Sequence, residues 1–222
     1  MKSLRTLTLA LSACLTFTGN AAEEGFTDLL AGDGIKNFKT YNKPEANPQW
    51  VVKDGELKLT GRGGGDLITK EQYENFDLRL EWKIQDGGNS GIFFGAKESN
   101  RAIYQDAVEM QILGNGGFPK LDDYHIAGAV YGLTASKRDW AKPAGEWNEV
   151  RIVKKDGKVQ FFFNGHQTGD IDLNSEEFDA TVAKTKFKAW PKFGKHPKGH
   201  IGFQDHGDSH GLAIRNLRIK EL

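Results

Sequence analysis

Side chains that could carry acid–base chemistry recur in pairs, two residues apart, along three segments of the sequence. The pairs are Arg79 with Glu81, Glu109 with Gln111, and Gln204 with His206. Because successive side chains of a strand point to opposite faces, each pair would lie opposite the apolar residues that flank it. Together they offer a cation, two carboxylates, two amides and an imidazole, which suits general acid–base catalysis. We expect them to meet in one polar pocket, although each pair taken alone is better explained without a function, and Arg79 with Glu81 would then form an ionic ladder between strands.

Further candidates occur in predicted loops between the strands. They are Asn89, His125, Tyr131 and Trp190. Pyranose rings stack their C–H faces on aromatic side chains, while their hydroxyl groups need fixed donors and acceptors. Aromatic rings beside amides therefore predict a small-molecule carbohydrate as the ligand.

Period-two alternation of apolar and charged residues dominates the elements that would position these side chains. It is clearest over residues 76–84 and returns at 108–112, 150–152 and 201–206, which predicts half-buried strands. Asp54-Gly55, Asp156-Gly157 and Asn164-Gly165 are typical hairpin turns. Only residues 173–186 could hold a short helix. We therefore predict an all-β fold, an antiparallel β-sandwich of jelly-roll type with few short helices.

The composition argues against nucleic acid as a partner, and the glycine-rich segment is not a phosphate-binding loop. The 222 residues carry 30 Lys and Arg against 30 Asp and Glu, so no general attraction to nucleic acid is expected. The glycine-rich segment Arg62–Gly65 lacks the lysine and hydroxyl of a phosphate-binding loop. We interpret it as a hairpin connection.

The first 22 residues resemble a secretory signal peptide, with a basic start, an apolar stretch and small residues before Glu23. Residues 23–222 would then form one domain, exported to the periplasm or the extracellular space. The apolar stretch is too short for a permanent anchor, so no transmembrane helix is expected after the leader is removed. Leu11-Ser12-Ala13-Cys14 offers an alternative, in which Cys14 is lipidated. Cleavage near Ala21 or Ala22 would instead remove the only cysteine.

Motifs in a fixed order carry a resemblance to a known family across roughly residues 25–222. They are Gly25-Phe26-Thr27-Asp28, Trp50-Val51-Val52, the strand Phe76–Trp82, Asn89-Ser90-Gly91, Glu109-Met110-Gln111-Ile112, Gly145-Glu146-Trp147-Asn148, Phe163-Asn164-Gly165, Gly202–Gly207 and Arg215-Asn216-Leu217. The chain resembles the 3-keto-disaccharide hydrolase domain family, formerly DUF1080, whose fold is a concanavalin A-like jelly roll. It departs from the family at Gly95, where relatives often carry arginine.

The resemblance implies cleavage of 3-keto-glycosides or 3-keto-disaccharides. A ketone at C3 acidifies the C2 proton, and the enolate left by its removal can expel the C1 substituent, with or without re-addition of water. Combined with strand parity, the resemblance gives each candidate a role. His206 is the base, Glu109 orients it or binds a metal, Glu81 and His125 could deliver a proton to the leaving group, and Arg79, Gln111, Gln204, Asn89, Tyr131 and Trp190 hold the sugar.

Three questions stay open in the sequence. A divalent metal ion could be held by Glu109, His206 and His125, but no ligand spacing demands it, and no cofactor is established. The enzyme could be an ordinary retaining glycosidase that uses Glu81 and Glu109, a pair that would have to lie about 5 Å apart. It could also be a carbohydrate-binding module without catalysis, since fold does not fix activity.

Overall fold

The computed structural model describes residues 24–222. The predicted signal peptide and Cys14 lie outside this range. Within it the strands are β1 (Thr27–Asp28), β2 (Phe38–Thr40), β3 (Trp50–Lys53), β4 (Glu56–Leu59), β5 (Leu67–Thr69), β6 (Phe76–Lys83), β7 (Asn89–Ala96), β8 (Val108–Leu113), β9 (Asn148–Lys155), β10 (Lys158–Phe163), β11 (His166–Asp172), β12 (His200–Phe203) and β13 (Ala213–Glu221), and the α-helix is α1 (Glu176–Val182). None of the described helices is long and apolar enough to cross a membrane.

The strands form two antiparallel sheets. The larger sheet has eight strands in the order β11-β10-β9-β6-β13-β4-β3, with β1 paired to β13. The smaller sheet has five strands in the order β2-β5-β12-β7-β8. The all-β sandwich predicted from the alternating pattern is confirmed.

Apolar side chains from the facing sides of both sheets fill one core. Phe76 of the large sheet meets Phe94 of the small sheet edge-on, with ring centroids 6.0 Å apart. Trp82 and Phe163 stack within the large sheet, and Trp82 is only 2% exposed. Since these residues are the apolar members of their strands, the alternate residues must lie on the outer faces of the sandwich.

Local turn signals are confirmed at all three predicted hairpins. Asp54-Gly55 joins β3 to β4, Asp156-Gly157 joins β9 to β10, and Asn164-Gly165 joins β10 to β11. Both residues of each pair have positive φ, as the turn that matches strand twist requires. The short helix is also confirmed, and the side chain of Ser175 accepts a hydrogen bond from the amide of Phe178 at its start.

The glycine-rich segment Arg62–Gly65 does not form the expected hairpin. It follows β4 in the large sheet and precedes β5 in the small one, so it carries the chain from one sheet to the other. A turn signal marks a change of direction but does not say which sheet the next strand joins.

The outer face of the small sheet is partly covered by a short segment of the chain. The 3₁₀ turn Ile103–Gln105 lies on it, and Ile103 packs against Gly202, where an added Cβ would stand 2.5 Å from the Ile103 side chain. Beside this cover, the face is left open along β7 and β8.

Candidate functional site

A pocket of about 130 Å³ opens on the outer face of the small sheet. Its walls come from β7, β8, the segment after β12 and three connecting segments. It is lined by Asn89, Tyr104, Glu109, Gln111, Tyr131, Lys186, Gln204 and His206. Six of these residues were singled out from the sequence alone, and they come from segments more than 100 residues apart.

Glu109 forms the floor of the pocket because its neighbour in the sheet has no side chain. Phe93 of β7 is paired with Glu109 of β8, which places Gly91 diagonally across from the carboxylate on the same face. A Cβ added at Gly91 would stand only 2.2 Å from a carboxylate oxygen of Glu109. The carboxylate of Glu109 therefore occupies the space that a side chain at position 91 would need.

Burial changes the charge of this carboxyl group. Glu109 is 8% exposed, and burial raises its pKa to about 8, against a smaller lowering by the nearby Lys186 and a further increase from Asp66. The carboxyl is thus protonated at neutral pH and can donate a proton. A carboxyl with a raised pKa in a polar pocket is a feature of acid–base sites.

The side chain of Gln111 adds a hydrogen-bond acceptor to the floor of the pocket. Its side-chain nitrogen donates to the backbone oxygen of His125 at 3.2 Å, which fixes the orientation of the amide. Its Oε1 is buried and has no partner among the described residues. Since buried acceptors cost free energy when unpaired, the geometry favours a ligand that supplies a hydroxyl donor there.

His206 stands on a well-anchored loop at the pocket wall. Its Nδ1 lies 2.8 Å from a carboxylate oxygen of Asp208, and its amide donates to Ser209, whose hydroxyl donates to the backbone of Asn89. With the proton on Nδ1, the lone pair belongs to Nε2, as a base requires. The backbone of Gln204 donates to Gly91, so this loop is joined directly to β7.

Sequence reasoning missed Lys186, the cation of the pocket. Its ammonium lies 4.5 Å from the ring centre of Tyr131 and 5.4 Å from that of Phe187. It forms no hydrogen bond or ion pair with the described residues. The 3₁₀ turn Lys186–Ala189 has no strand parity that could have identified it, and its placement depends on Phe187 stacking on Phe193 at 4.0 Å.

Tyr104 was also missed. It follows Ile103 in the covering segment and contacts the edge of Trp190 at 5.5 Å between ring centres. Only the apolar character of Ile103 beside an aromatic residue could have indicated that this segment covers a sheet.

The expectation that Arg79 and Glu81 join this pocket is wrong. Both lie on β6, on the outer face of the large sheet. Arg79 donates to Asp77 at 2.8 Å, while Glu81 accepts two hydrogen bonds from its cross-strand partner Arg215. Strand parity identifies the face of a strand but not the sheet to which the strand belongs, so the ionic ladder is the correct interpretation of this pair.

Because Glu81 lies on the large sheet, it cannot form the carboxylate pair with Glu109 that a retaining glycosidase would need. Glu81 and Glu109 lie on opposite outer faces of the sandwich, with the core between them. Stacked sheets are about 10 Å apart, so the two carboxyl groups cannot approach to the roughly 5 Å that the retaining mechanism needs.

His125 and Trp190 lie near the pocket but do not line it, contrary to expectation. The Nδ1 of His125 is 2.7 Å from Asp122, and its ring meets Tyr131 edge-on at 4.7 Å. Trp190 packs behind Tyr104 and against Phe187. Both residues support lining residues, because their partners in these ring contacts are the side chains that reach the pocket.

The three ligands considered for a metal ion do not come together. Glu109 and His206 share the pocket, whereas His125 does not line it and contacts Asp122 instead. Across residues 24–222 no three His, Cys, Asp or Glu side chains are grouped closely enough to hold a metal ion. The donor set does not fit a metal centre.

Comparison with known proteins gives consistent matches over nearly the whole chain. The family model of the 3-keto-alpha-glucoside-1,2-lyase-like domain matches residues 25–220. A 3-keto-disaccharide hydrolase from Bacteroides thetaiotaomicron is 31% identical, over 90% of this chain and 79% of that protein.

Solved structures agree with the fold. A crystal structure of a candidate glycosyl hydrolase from Parabacteroides distasonis is 28% identical with a TM-score of 0.79, covering 90% of this chain and 94% of that one. A galectin-like protein from Bacillus subtilis, 13% identical with a TM-score of 0.58 over 88% of this chain and 94% of that one, shares the fold alone.

Proposed function

Because the chain belongs to the 3-keto-alpha-glucoside-1,2-lyase-like family, we propose that it cleaves the glycosidic bond of sugars that carry a ketone at C3. The family and its named relative are carbohydrate-active, and the relative is a hydrolase. The observation that carries the proposal is a pocket in which an oriented imidazole, a buried protonated carboxyl and an unpaired ammonium surround an orphan amide acceptor.

Proton removal from C2 is assigned to His206. Asp208 holds its Nδ1, so Nε2 can accept the C2 proton while the C3 ketone becomes an enolate. The electron pair then reforms the ketone as the C1–O bond breaks, which leaves a double bond between C1 and C2. Addition of water across that bond completes a hydrolysis, and release before addition would make the reaction a lyase reaction.

Glu109 and Lys186 stabilise the charges that this reaction creates. The protonated carboxyl of Glu109 donates its proton to the departing C1 oxygen, because burial keeps it protonated near neutral pH. Lys186, a lining residue of the pocket, stabilises the enolate oxygen. Because this ammonium has no ion-pair partner among the described residues, it is available for this task, and such stabilisation is often the largest catalytic contribution.

Product analysis in heavy water tests the proposed function. A 3-keto-disaccharide and its unoxidised parent are each incubated with the protein. We expect cleavage of the keto sugar alone, with deuterium at C2 of the keto product. Cleavage of the parent, or a product without deuterium, would contradict C2 proton removal, and binding without cleavage would indicate a carbohydrate-binding module.

Replacement of Lys186 by methionine is expected to lower kcat by roughly 10²–10³-fold, the usual effect of losing one donor to a developing oxyanion. Because Lys186 lowers the pKa of Glu109, removal of the lysine should raise that pKa and shift the alkaline limb of the pH–rate profile to higher pH. Lys186→Arg should restore part of the rate. A normal kcat with an unmoved limb would contradict the role, and Lys188→Met, on the same turn but outside the pocket, serves as the control.

We further propose that residues 1–22 direct export, so that the enzyme acts on sugars in the periplasm or extracellular space. The leader-like pattern of these residues supports this proposal. Mass analysis of the mature N-terminus distinguishes cleavage near Ala21 or Ala22 from lipidation of Cys14.

A further inference from the structure

The size of the pocket limits how much of a disaccharide it can enclose. Its volume of about 130 Å³ is well below the roughly 300–1,000 Å³ of sites that hold drug-sized ligands. One sugar ring can lie among Glu109, Gln111 and His206. The second ring of a disaccharide must therefore lie outside, at the mouth.

An aromatic ledge is present at that mouth. Tyr104 lines the pocket and yet remains 36% exposed, and its ring meets the half-buried Trp190 at an interplanar angle of 70°. Lys186 approaches the Tyr104 ring to 5.8 Å. We call Tyr104 and Trp190 the ledge.

The ledge is held in place by buried contacts. Tyr104 belongs to the covering segment and Trp190 to the segment after α1, and Asp106, 1% exposed, connects the two. Its backbone oxygen accepts from the amide of Gly194 at 2.8 Å, and its carboxylate lies 3.3 Å from the ring nitrogen of His196. A platform that is already ordered loses little entropy when a sugar stacks on it.

We infer that the ledge is a binding subsite for the sugar that leaves from C1, the second ring of a 3-keto-disaccharide. This inference rests on the proposed function and extends it to the preferred substrate. An aromatic ring stacks on a pyranose without regard to most hydroxyl positions, so the ledge selects for a sugar leaving group over a small alcohol while tolerating different sugars.

The test compares two substrates that share the reacting ring, a 3-keto-disaccharide and the methyl 3-keto-glucoside. Tyr104→Ala should lower kcat/KM for the disaccharide about 10-fold more than for the methyl glucoside, the effect of one lost stacking contact. Tyr104→Phe keeps the ring and should show the same ratio of kcat/KM between the two substrates as the wild type. Tyr124→Ala, an exposed tyrosine outside the pocket lining, is the control.

The remaining outcomes would contradict either the ledge as a subsite or the proposed function itself. Equal losses on both substrates, or a loss only in Tyr124→Ala, would contradict the ledge as a subsite while the proposed function stands. If the wild-type protein cleaves neither substrate, the proposed function fails and the inference fails with it. Thermal unfolding of each variant confirms that any loss is not one of folding.

Discussion

Replacement of His206 by alanine is expected to lower kcat/KM for a 3-keto-glycoside by roughly 10²–10⁴-fold, the contribution of one general base. The side chain is half exposed, and among residues 24–222 its ring forms a hydrogen bond only with Asp208, so the fold should persist. Steady-state kinetics gives the loss, and deuterium exchange at C2 should fall in parallel, because both depend on the same proton transfer.

His210→Ala is the matched control for this variant. His210 is an exposed residue of the same loop, four positions further on, and it does not line the pocket. Equal activity of the two variants would remove His206 from the reaction. Asp208→Asn should give an intermediate loss, since it keeps the imidazole but weakens the preference for a proton on Nδ1.

Replacement of Glu109 by glutamine is expected to abolish most activity and to stabilise the protein. The amide cannot give a proton to the leaving oxygen, so turnover should fall by roughly 10²–10⁴-fold. A nitrophenyl 3-keto-glucoside, whose leaving group departs without a proton, should lose much less. Comparison of the two substrates therefore identifies the step that Glu109 assists.

The gain in stability follows from the raised pKa of Glu109. The unfolded chain releases this proton above about pH 4.5, whereas the folded protein keeps it until about pH 8. Folded protein thus binds the extra proton between these values, and stability falls as the pH rises through that window. At pH 7 the raised pKa of Glu109 lowers the free energy of unfolding by up to about 3 kcal/mol.

Denaturant unfolding of the wild type and Glu109→Gln across this window measures the cost. The two proteins should be about equally stable at pH 4, and the glutamine variant should be increasingly the more stable towards pH 8. A difference that does not change with pH would show that the carboxyl is not protonated in the folded state. The proposed general acid would then have to be another group.

Local features of the sequence were sufficient for the fold class. The alternation over residues 76–84 gave β6, and Asn164-Gly165 gave a hairpin, because side-chain period and turn chemistry depend on neighbours in the chain. The same reasoning identified Glu109 and Gln111 as partners on one face of β8. These predictions needed no knowledge of distant contacts.

The remainder of the site depends on contacts between distant segments. The alternation of side chains along a strand does not show that β6 and β8 lie in different sheets. For that reason the sequence pattern wrongly predicts that Arg79 lies beside Glu109. Lys186 and Tyr104 lie on short turns without a period, and their positions come from packing of Phe187 and Ile103. The role of Gly91 required the register between β7 and β8.

A pocket of about 130 Å³, with room for about one sugar ring, has a consequence for longer glycans. Only a terminal residue can reach the floor, since an internal unit would need an open groove to let the polymer pass on both sides. On the proposed function we therefore expect an exo-acting enzyme, with oxidation at C3 of the end unit determining which chains it can shorten.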